Sequence, residues 1–182
     1  ISLTGICQSS WPIEDIQNLY TYIESQDETR ECIKLTTIKP SGTLSLLPGV
    51  TPGIHPAYST YYIRRIRLAS DSKLVDVCLH HGYKVEQQLN FDGTPDSNTV
   101  VVEFPVMQKG NTDKGAISQL LRQQEYQESW SDNAVSCTVY YTDDEIEDIR
   151  MFLRDNFNTL KGCSFLRYQD HGFCQAPYEA IS

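Results

Sequence analysis

The chain is organised around one stretch, TTIKPSGTLSLLPG, which spans residues 36–49. The β-branched start of this stretch, residues 36–38, is typical of a strand, and Pro40 ends that strand. The Ser-Gly-Thr that follows leads into a short apolar segment, which is closed by Pro48 and Gly49. The pattern therefore predicts a strand, a tight turn and one or two turns of helix.

The start of that helix is a candidate site for an anion. Backbone N–H groups in the first turn of a helix have no partner within the helix, and they favour a negatively charged ligand. Gly42 would let a ligand approach the backbone closely. The hydroxyls of Ser41, Thr43 and Ser45 can donate to phosphate oxygens. The same residue types cap helices that bind nothing, so a phosphate site and a simple capped helix both stay open at this point.

Length, composition and charge limit the classes of protein to which this chain can belong. The 182 residues, 40% hydrophobic and 21% charged, suffice for one globular domain or for part of a larger one. The net charge of −9 argues against binding of nucleic acid or anionic membranes through bulk electrostatics. We see no signal peptide and no apolar run long enough to cross a membrane, so we predict a cytoplasmic location. We also expect both ends of the chain to be cut from something longer.

Cysteine and histidine patterns offer no metal site. The cysteines are Cys7, Cys32, Cys78, Cys137, Cys163 and Cys174. None of them forms a C-x-x-C pair, and we interpret them as small buried hydrophobic residues in a reducing compartment. His80 and His81 are adjacent, whereas His55 and His171 stand alone, which is not the spacing of a zinc site. An unrelated phosphate-handling enzyme with His55 or His171 as acid–base stays an alternative, although neither has a nameable partner.

Predicted strands and helices alternate along the chain. A helix over residues 116–129 is expected to turn Ile117, Leu120 and Leu121 inward and to present a glutamine-rich outer face. The alternation predicts an α/β fold with parallel crossovers. We expect residues 1–182 to form a single fragment without an internal boundary.

The strongest local positive charge lies in a predicted strand over residues 61–68. Alternation along a strand would place Arg65 and Arg67 on one face and Arg64 on the other. Three arginines on an acidic chain could contact a ligand, but a solvated sheet edge or an ion-pair cluster explains them equally simply.

Five blocks of the sequence resemble one known family. In chain order they are KLTTIKPSGTLS (34–45), GVTPGIHP (49–56), YYIRR (61–65), WSDNAVSCT (130–138) and KGCSF (161–165). They are similar to the adenosylcobalamin-dependent (class II) ribonucleotide reductases and cover most of the chain in order. The first three blocks are the specific part of the match.

The resemblance implies a fold and a binding role. The chain would be the C-terminal part of the ten-stranded α/β barrel of these reductases. The turn that would bind the phosphates of the substrate nucleotide, together with the helix start beside it, comprises Pro40, Ser41, Gly42, Thr43, Leu44 and Ser45. The parent protein would reduce ribonucleoside di- or triphosphates to 2′-deoxyribonucleotides.

The resemblance also implies a mechanism and partners for the parent enzyme. Cleavage of the cobalt–carbon bond of adenosylcobalamin would generate a thiyl radical on a barrel cysteine, which abstracts the 3′-hydrogen of the substrate. A cysteine pair would supply electrons, a glutamate would act as base, and a thioredoxin-like protein would serve as reductant. We expect the 182 residues alone to bind no cofactor. Uncovered strand edges in such a fragment favour its self-association.

The sequence departs from this family in one decisive respect. The family carries its radical cysteine and its glutamate in an Asn-Pro-Cys-x-Glu motif, and this chain contains no Asn-Pro dipeptide. The C-terminal cysteine pair is absent as well, so we assign no radical, redox or metal-binding role to any residue. We therefore expect a fragment that holds the phosphate loop and part of the barrel wall and is inactive alone. The alternative is a free-standing, non-catalytic domain that binds nucleotide or phosphate or serves as an interaction module.

Overall fold

The computed structural model describes residues 1–8, 11–28, 33–40, 45, 48–110, 113–168 and 175–181. The chain forms two compact units, each built from two stretches of sequence. Unit 1 comprises Ile1–Ala57 and Lys109–Gln169, and unit 2 comprises Tyr58–Gln108 and Asp170–Ser182. Two compact units can belong to one domain, so the single fragment without an internal boundary stays a prediction.

The helices and strands follow one another in a mixed α/β order. They are α1 (Ile13–Gln26), β1 (Tyr61–Ala69), α2 (Lys73–His80), β2 (Lys84–Leu89), β3 (Pro95–Met107), α3 (Ala116–Ser129), β4 (Thr138–Tyr141), α4 (Ile146–Asp155), β5 (Ser164–Arg167) and β6 (Tyr178–Ala180). The predicted α/β class is confirmed. No helix among the described residues is long and apolar enough to span a bilayer.

Extended segments of unit 1 run parallel to one another. β4 pairs with β5 in parallel over its whole length. Ahead of β4, Val135 forms a parallel bridge with Ile38, and Ser2 forms another with Thr37. The N-terminal segment, residues 34–40, β4 and β5 therefore lie side by side in that order. α1 connects the first two segments and α4 connects the last two, which confirms the predicted parallel crossovers for this unit.

A single hydrophobic core joins the helices of unit 1 to these segments. Its buried members are Ile6, Ile16, Ile38, Ile54, Ala116, Leu120, Tyr126, Trp130, Val135, Cys137, Val139 and Ile149. α1, α3 and α4 each contribute to the cluster, and the central segments contribute Ile38, Val135 and Val139. Burial of this apolar surface provides the main stabilisation of the unit.

α3 buries glutamines along with its aliphatic residues. Leu120 is fully buried as predicted, but Leu121 is 53% exposed, whereas Gln119 and Gln123 are each 1% exposed. The predicted glutamine-rich outer face is therefore wrong. Periodicity follows apolar residues only, and it cannot detect a helix whose inward amides bind the backbone of a neighbouring segment.

The buried amides of α3 bond to the segment that contains β4. Gln119 Nε2 donates to the Tyr140 carbonyl at 3.0 Å, and Gln119 Oε1 accepts the Tyr140 N–H at 3.2 Å. Gln127 Oε1 accepts the Val135 N–H at 2.9 Å, while Gln123 Nε2 donates to the Val135 carbonyl at 3.0 Å. These side chains, spaced four residues apart, supply the bonds that a neighbouring strand would otherwise provide.

Unit 2 is an antiparallel sheet with the strand order β2-β3-β1-β6. β1 and β2 both pair antiparallel with β3, so they run in the same direction with β3 between them. α2 connects β1 to β2, and a tight turn at residues 90–94 brings β3 back. The prediction of parallel crossovers is wrong for neighbouring strands here, because a hairpin inserts an antiparallel strand into the crossover.

Arg65 of β1 forms an ion-pair cluster with Glu103 and Glu179 within this sheet. β1 lies between β3 and β6, so the alternative of a solvated sheet edge is wrong. Arg65 Nε lies 2.8 Å from Glu103 Oε1, and the Arg65 guanidinium also contacts the Glu179 carboxylate. Burial alone would raise the pKa of Glu103, but hydrogen bonds and charge from Arg65 and Lys84 lower it below the usual value.

The inward amides of α3 lead to a first prediction. Gln119→Leu removes the amide that bonds to both the N–H and the carbonyl of the partly buried Tyr140, so we expect a loss of about 1–3 kcal/mol in the free energy of unfolding. Leu121→Gln serves as the matched control, since that side chain is largely exposed and should change stability by less than about 0.5 kcal/mol. Urea titrations measure both. A larger loss for the Leu121 variant would contradict this account of α3.

The ion-pair cluster leads to a second prediction. Arg65→Met leaves the poorly exposed Glu103 carboxylate without its main partner. We therefore expect the free energy of unfolding to fall by about 3 kcal/mol at pH 7. Since the folded-state pKa of Glu103 is lowered, the stabilisation it contributes is present above its unfolded pKa and lost as the pH falls through the folded pKa. The wild type should therefore lose more stability than the variant between pH 5 and pH 3. Arg67→Met, at an exposed position, is the control.

Candidate phosphate loop and its supports

The predicted phosphate-binding residues fall largely outside the described part of the chain. Ser41, Gly42, Thr43 and Leu44 are not among the described residues. Pro40 is exposed at the end of the extended segment. Ser45 is fully buried, and its carbonyl accepts the Val50 N–H at 2.9 Å. The structure therefore describes the segment before the loop, up to Pro40, and the segment after it, from Pro48. The role of the six residues in binding phosphate stays a prediction.

The two flanks meet at the base of the loop. Gly53 packs against the end of the extended segment, where an added Cβ would lie 3.2 Å from Ile38 Cγ2 and 3.3 Å from the Lys39 carbonyl. Its φ of +55° is also a conformation that favours glycine. Gly53 N–H donates to Thr4 Oγ1 at 3.0 Å, which ties the returning flank to the N-terminal segment. The loop is thus closed at its base by residues on both sides.

The start of the segment that leads into the loop is held by Asp132. Asp132 Oδ2 accepts the N–H groups of both Leu35, at 2.8 Å, and Thr36, at 3.1 Å. Asp132 Oδ1 accepts the Tyr20 hydroxyl from α1 at 2.9 Å. Burial alone would raise the pKa of Asp132, but these hydrogen bonds lower it, so the carboxylate is ionised near neutral pH.

Thr36 is the centre of the same network. Its hydroxyl, which is buried, donates to the Trp130 carbonyl and accepts the Asp132 N–H at 3.0 Å. Trp130 Nε1 donates to the Thr37 carbonyl at 3.0 Å, and the Asn133 N–H donates to the Thr36 carbonyl at 3.1 Å. The sequence singled out residues 130–133 only as part of the block 130–138 that resembles the known family. Nothing in their spacing shows that they meet a segment almost a hundred residues earlier.

His55 has a structural role in the returning flank. Its Nδ1 lies 3.0 Å from the Pro52 carbonyl, and its Nε2 lies 3.1 Å from the Thr138 backbone nitrogen. Since the backbone N–H of Thr138 can only donate, His55 Nε2 is the acceptor, and the neutral ring carries its proton on Nδ1. Burial lowers the pKa of His55. Both ring nitrogens are engaged by backbone groups, which leaves neither for acid–base catalysis, and His171 lies outside the described residues.

The described thiols are free, and burial makes three of them poor nucleophiles. Cys137 is buried, and burial raises its pKa to about 12. Burial also raises the pKa of Cys7, whose Sγ contacts the Ile54 carbonyl, and that of Cys163. A thiol with a raised pKa holds little thiolate near neutral pH and is a poor nucleophile. Cys32 and Cys174 lie outside the described residues. Among the residues that are described, no cluster of His, Cys, Asp and Glu could hold a metal ion.

A cavity of about 360 Å³ lies between α1 and the end of α3. Tyr20 and Thr21 line one wall, and Trp130 and Asp132 line another. This volume is at the lower end of the range of about 300–1,000 Å³ that drug-sized ligands occupy. A corrin ring with its nucleotide tail is larger than such a ligand. Adenosylcobalamin therefore does not fit this cavity, and we assign it no contact there.

Comparisons with known proteins agree on one family. No protein-family model matches the chain. An adenosylcobalamin-dependent ribonucleoside-triphosphate reductase of Euglena gracilis is 44% identical over 84% of the chain, and one of Lactobacillus acidophilus is 35% identical over 93%. A crystal structure of a B12-dependent, class II ribonucleotide reductase superposes with a TM-score of 0.81 and 32% identity over 93% of the chain.

This stretch belongs to the class II ribonucleotide reductase family. The chain spans about a fifth to a quarter of the length of the proteins it matches: 21% of the Euglena protein, 24% of the Lactobacillus protein and 25% of the crystallised chain. The resemblance stated from the sequence blocks is thereby confirmed. The α/β architecture is shared with the solved reductase. The 93% of the chain that superposes includes residues of both units.

The geometry at His55 leads to a third prediction. Its folded-state pKa is lowered, so the neutral ring contributes stability that is present above the unfolded value near 6.5 and lost as the pH falls below it. His55→Phe should cost about 1–3 kcal/mol in the free energy of unfolding at pH 7.5, because the Thr138 N–H loses the acceptor that His55 Nε2 provides. The difference in the free energy of unfolding between this variant and the wild type should become smaller as the pH falls toward 5. Nitrogen NMR of the ring identifies the tautomer, and the exposed His80→Phe is the control.

Proposed function

We propose that this chain supplies the substrate phosphate-binding loop and part of the barrel wall of a ribonucleoside-triphosphate reductase. The observation that carries the proposal is the closed base of the loop, at Lys39 and Gly53, at the end of a segment held on both sides by parallel neighbours. Ligands of α/β folds bind beyond the carboxyl ends of parallel strands, and residues 41–44 follow such an end. The names of the relatives favour a triphosphate substrate over a diphosphate.

The proposed chemistry of the loop is the recognition of phosphate. Backbone N–H groups after Pro40 and the hydroxyls of Ser41 and Thr43 would donate to phosphate oxygens, and Gly42 would leave room for them. Leu44 and Ser45 would continue the helix start. Such a site holds and orients the nucleotide, and it leaves the attack on the ribose to other parts of the enzyme.

The radical chemistry of the parent enzyme would belong to residues outside these 182. Adenosylcobalamin would supply the initiating radical, and a thioredoxin-like protein would supply reducing equivalents. The raised pKa of Cys7, Cys137 and Cys163 is consistent with the absence of a redox role for these thiols. We therefore propose that the 182 residues alone do not reduce nucleotides. Free thiols also fit the proposed cytoplasmic location.

The exposed strand β5 favours a place within a larger barrel over a free-standing interaction domain. All of its residues are exposed, and the hydrophobic side chains of Phe165 and Leu166 are 37% and 43% exposed. A strand of this kind is a template for further pairing. The remainder of the reductase would cover it in the parent, and the isolated chain would self-associate through it.

Titration of the chain with a ribonucleoside triphosphate tests the loop. Gly42→Val places a branched side chain where the phosphates would approach, so we expect at least a tenfold loss of affinity, which corresponds to about 1.4 kcal/mol. Gly162→Val is the matched control, because an added Cβ there meets nothing within 4 Å. Calorimetric titration measures both variants. Equal binding by the wild type and the Gly42 variant would remove the loop from the proposal.

A further inference from the structure

We propose that Asp132 is a positioning residue for substrate binding: its carboxylate fixes the start of segment 34–40 and thereby places the phosphate loop. The inference rests on the proposed function of that loop and adds a specific residue to it. Asp132 lies at the opposite end of the segment from the loop, so it would act without touching the substrate.

The contacts at Asp132 require a particular backbone shape. Successive N–H groups of an extended strand point to opposite sides. Here the consecutive N–H groups of Leu35 and Thr36 converge on the same oxygen, Asp132 Oδ2. The backbone at this point must therefore depart from a regular strand, and it forms a small concave site of two N–H groups that is complementary to an anion. An ionised carboxylate is the group that stabilises this shape.

Thr36 makes the arrangement specific to one register. Its hydroxyl contacts both the Trp130 carbonyl and the Asp132 backbone, and its carbonyl accepts the Asn133 N–H. A slip of one residue would replace Thr36 by Leu35 or Thr37 and turn the side chains to the other face. Leu35 has no hydroxyl, and Thr37 already bonds through its carbonyl to Trp130 Nε1. The network thus accepts a single alignment.

The remaining part of the segment transmits this alignment to the loop. The distance from Thr36 to Pro40 is about 13 Å for an extended chain at about 3.3 Å per residue. Between them, Ile38 is fully buried, its carbonyl accepts the Ser136 N–H at 2.9 Å, and its side chain packs against Gly53. Close packing leaves such a segment little freedom to absorb a shift at one end. A change at Asp132 would therefore shift the segment as far as Pro40, the residue from which the proposed phosphate loop starts.

Asp132→Asn tests this inference with little change in volume. An asparagine offers one oxygen and one NH₂, so it cannot accept both the Tyr20 hydroxyl and the two N–H groups of the segment. Tyr20→Phe removes only the bond to Oδ1 and should give a smaller effect. Asp148→Asn, at an exposed carboxylate on α4, is the matched control for the change of charge.

The experiment uses a full-length reductase that carries this stretch. Steady-state kinetics give the KM for the ribonucleoside triphosphate and kcat, and the corresponding nucleoside, which lacks phosphates, is tested as a competitive inhibitor. We expect Asp132→Asn to raise the KM at least tenfold while the inhibition constant of the nucleoside changes less than twofold. Tyr20→Phe should raise the KM by less than threefold, and Asp148→Asn should leave it unchanged.

Two results would overturn the inference. One is an unchanged KM for Asp132→Asn, and the other is an equal loss of affinity for triphosphate and nucleoside, which indicates general damage to the fold. If the Asp132 variant does not fold, Thr36→Val decides by the same criteria, since it removes only the hydroxyl at the centre of the network. Gly42→Val in the same enzyme distinguishes a failure of the proposed function from a failure of the positioning role of Asp132. No effect of Gly42→Val refutes the proposed function, whereas an effect there without one at Asp132 refutes the positioning role alone.

Discussion

A carboxylate that accepts two consecutive backbone N–H groups fixes the start of segment 34–40, and unit 1 is arranged around that segment. Asp132 provides this contact from the residues that lead into β4, and Tyr20 joins α1 to it. A partly buried carboxylate is costly to desolvate, and it is stable here because each of its oxygens receives hydrogen bonds. The other end of the segment is held differently, by the apolar side chain of Ile38 and the close approach of Gly53.

Side-chain amides and a histidine take the place of strand pairing at backbone groups of β4 and of the residues just before it. Gln119 bonds to both backbone groups of Tyr140, and His55 accepts the Thr138 N–H two residues earlier. Each such bond contributes only about 0.5–1.5 kcal/mol net, but its loss would leave a buried backbone group unsatisfied at a higher cost. Polar side chains therefore specify the neighbours of β4, while the hydrophobic core supplies most of the stabilisation.

Local sequence patterns predicted those parts of the structure that depend on local chemistry. The β-branched run at residues 36–38, the amphipathic helices and the alternating strand β1 follow from propensity and periodicity. Contacts between distant residues did not follow from such patterns. Thr36 and Asp132 are separated by 96 positions, and no spacing rule indicates that they meet. The direction of β3 also depended on a tight turn, and the inward amides of α3 contradict the rule that buried faces are apolar.

The division between the two ends of segment 34–40 explains how a fragment can specialise in binding. Residues 130–133 and α1 engage the beginning of the segment, away from the proposed phosphates, and there the polar groups are satisfied within the protein. The proposed phosphate loop follows the other end, in the position beyond parallel segments at which ligands of α/β folds bind. Burial raises the pKa of the thiols of Cys7, Cys137 and Cys163, and His55 is engaged at both ring nitrogens, so these groups of unit 1 are poorly suited to reaction. A rigid segment of this kind suits the proposed role, in which this chain would orient a substrate and leave the chemistry to other parts of the enzyme.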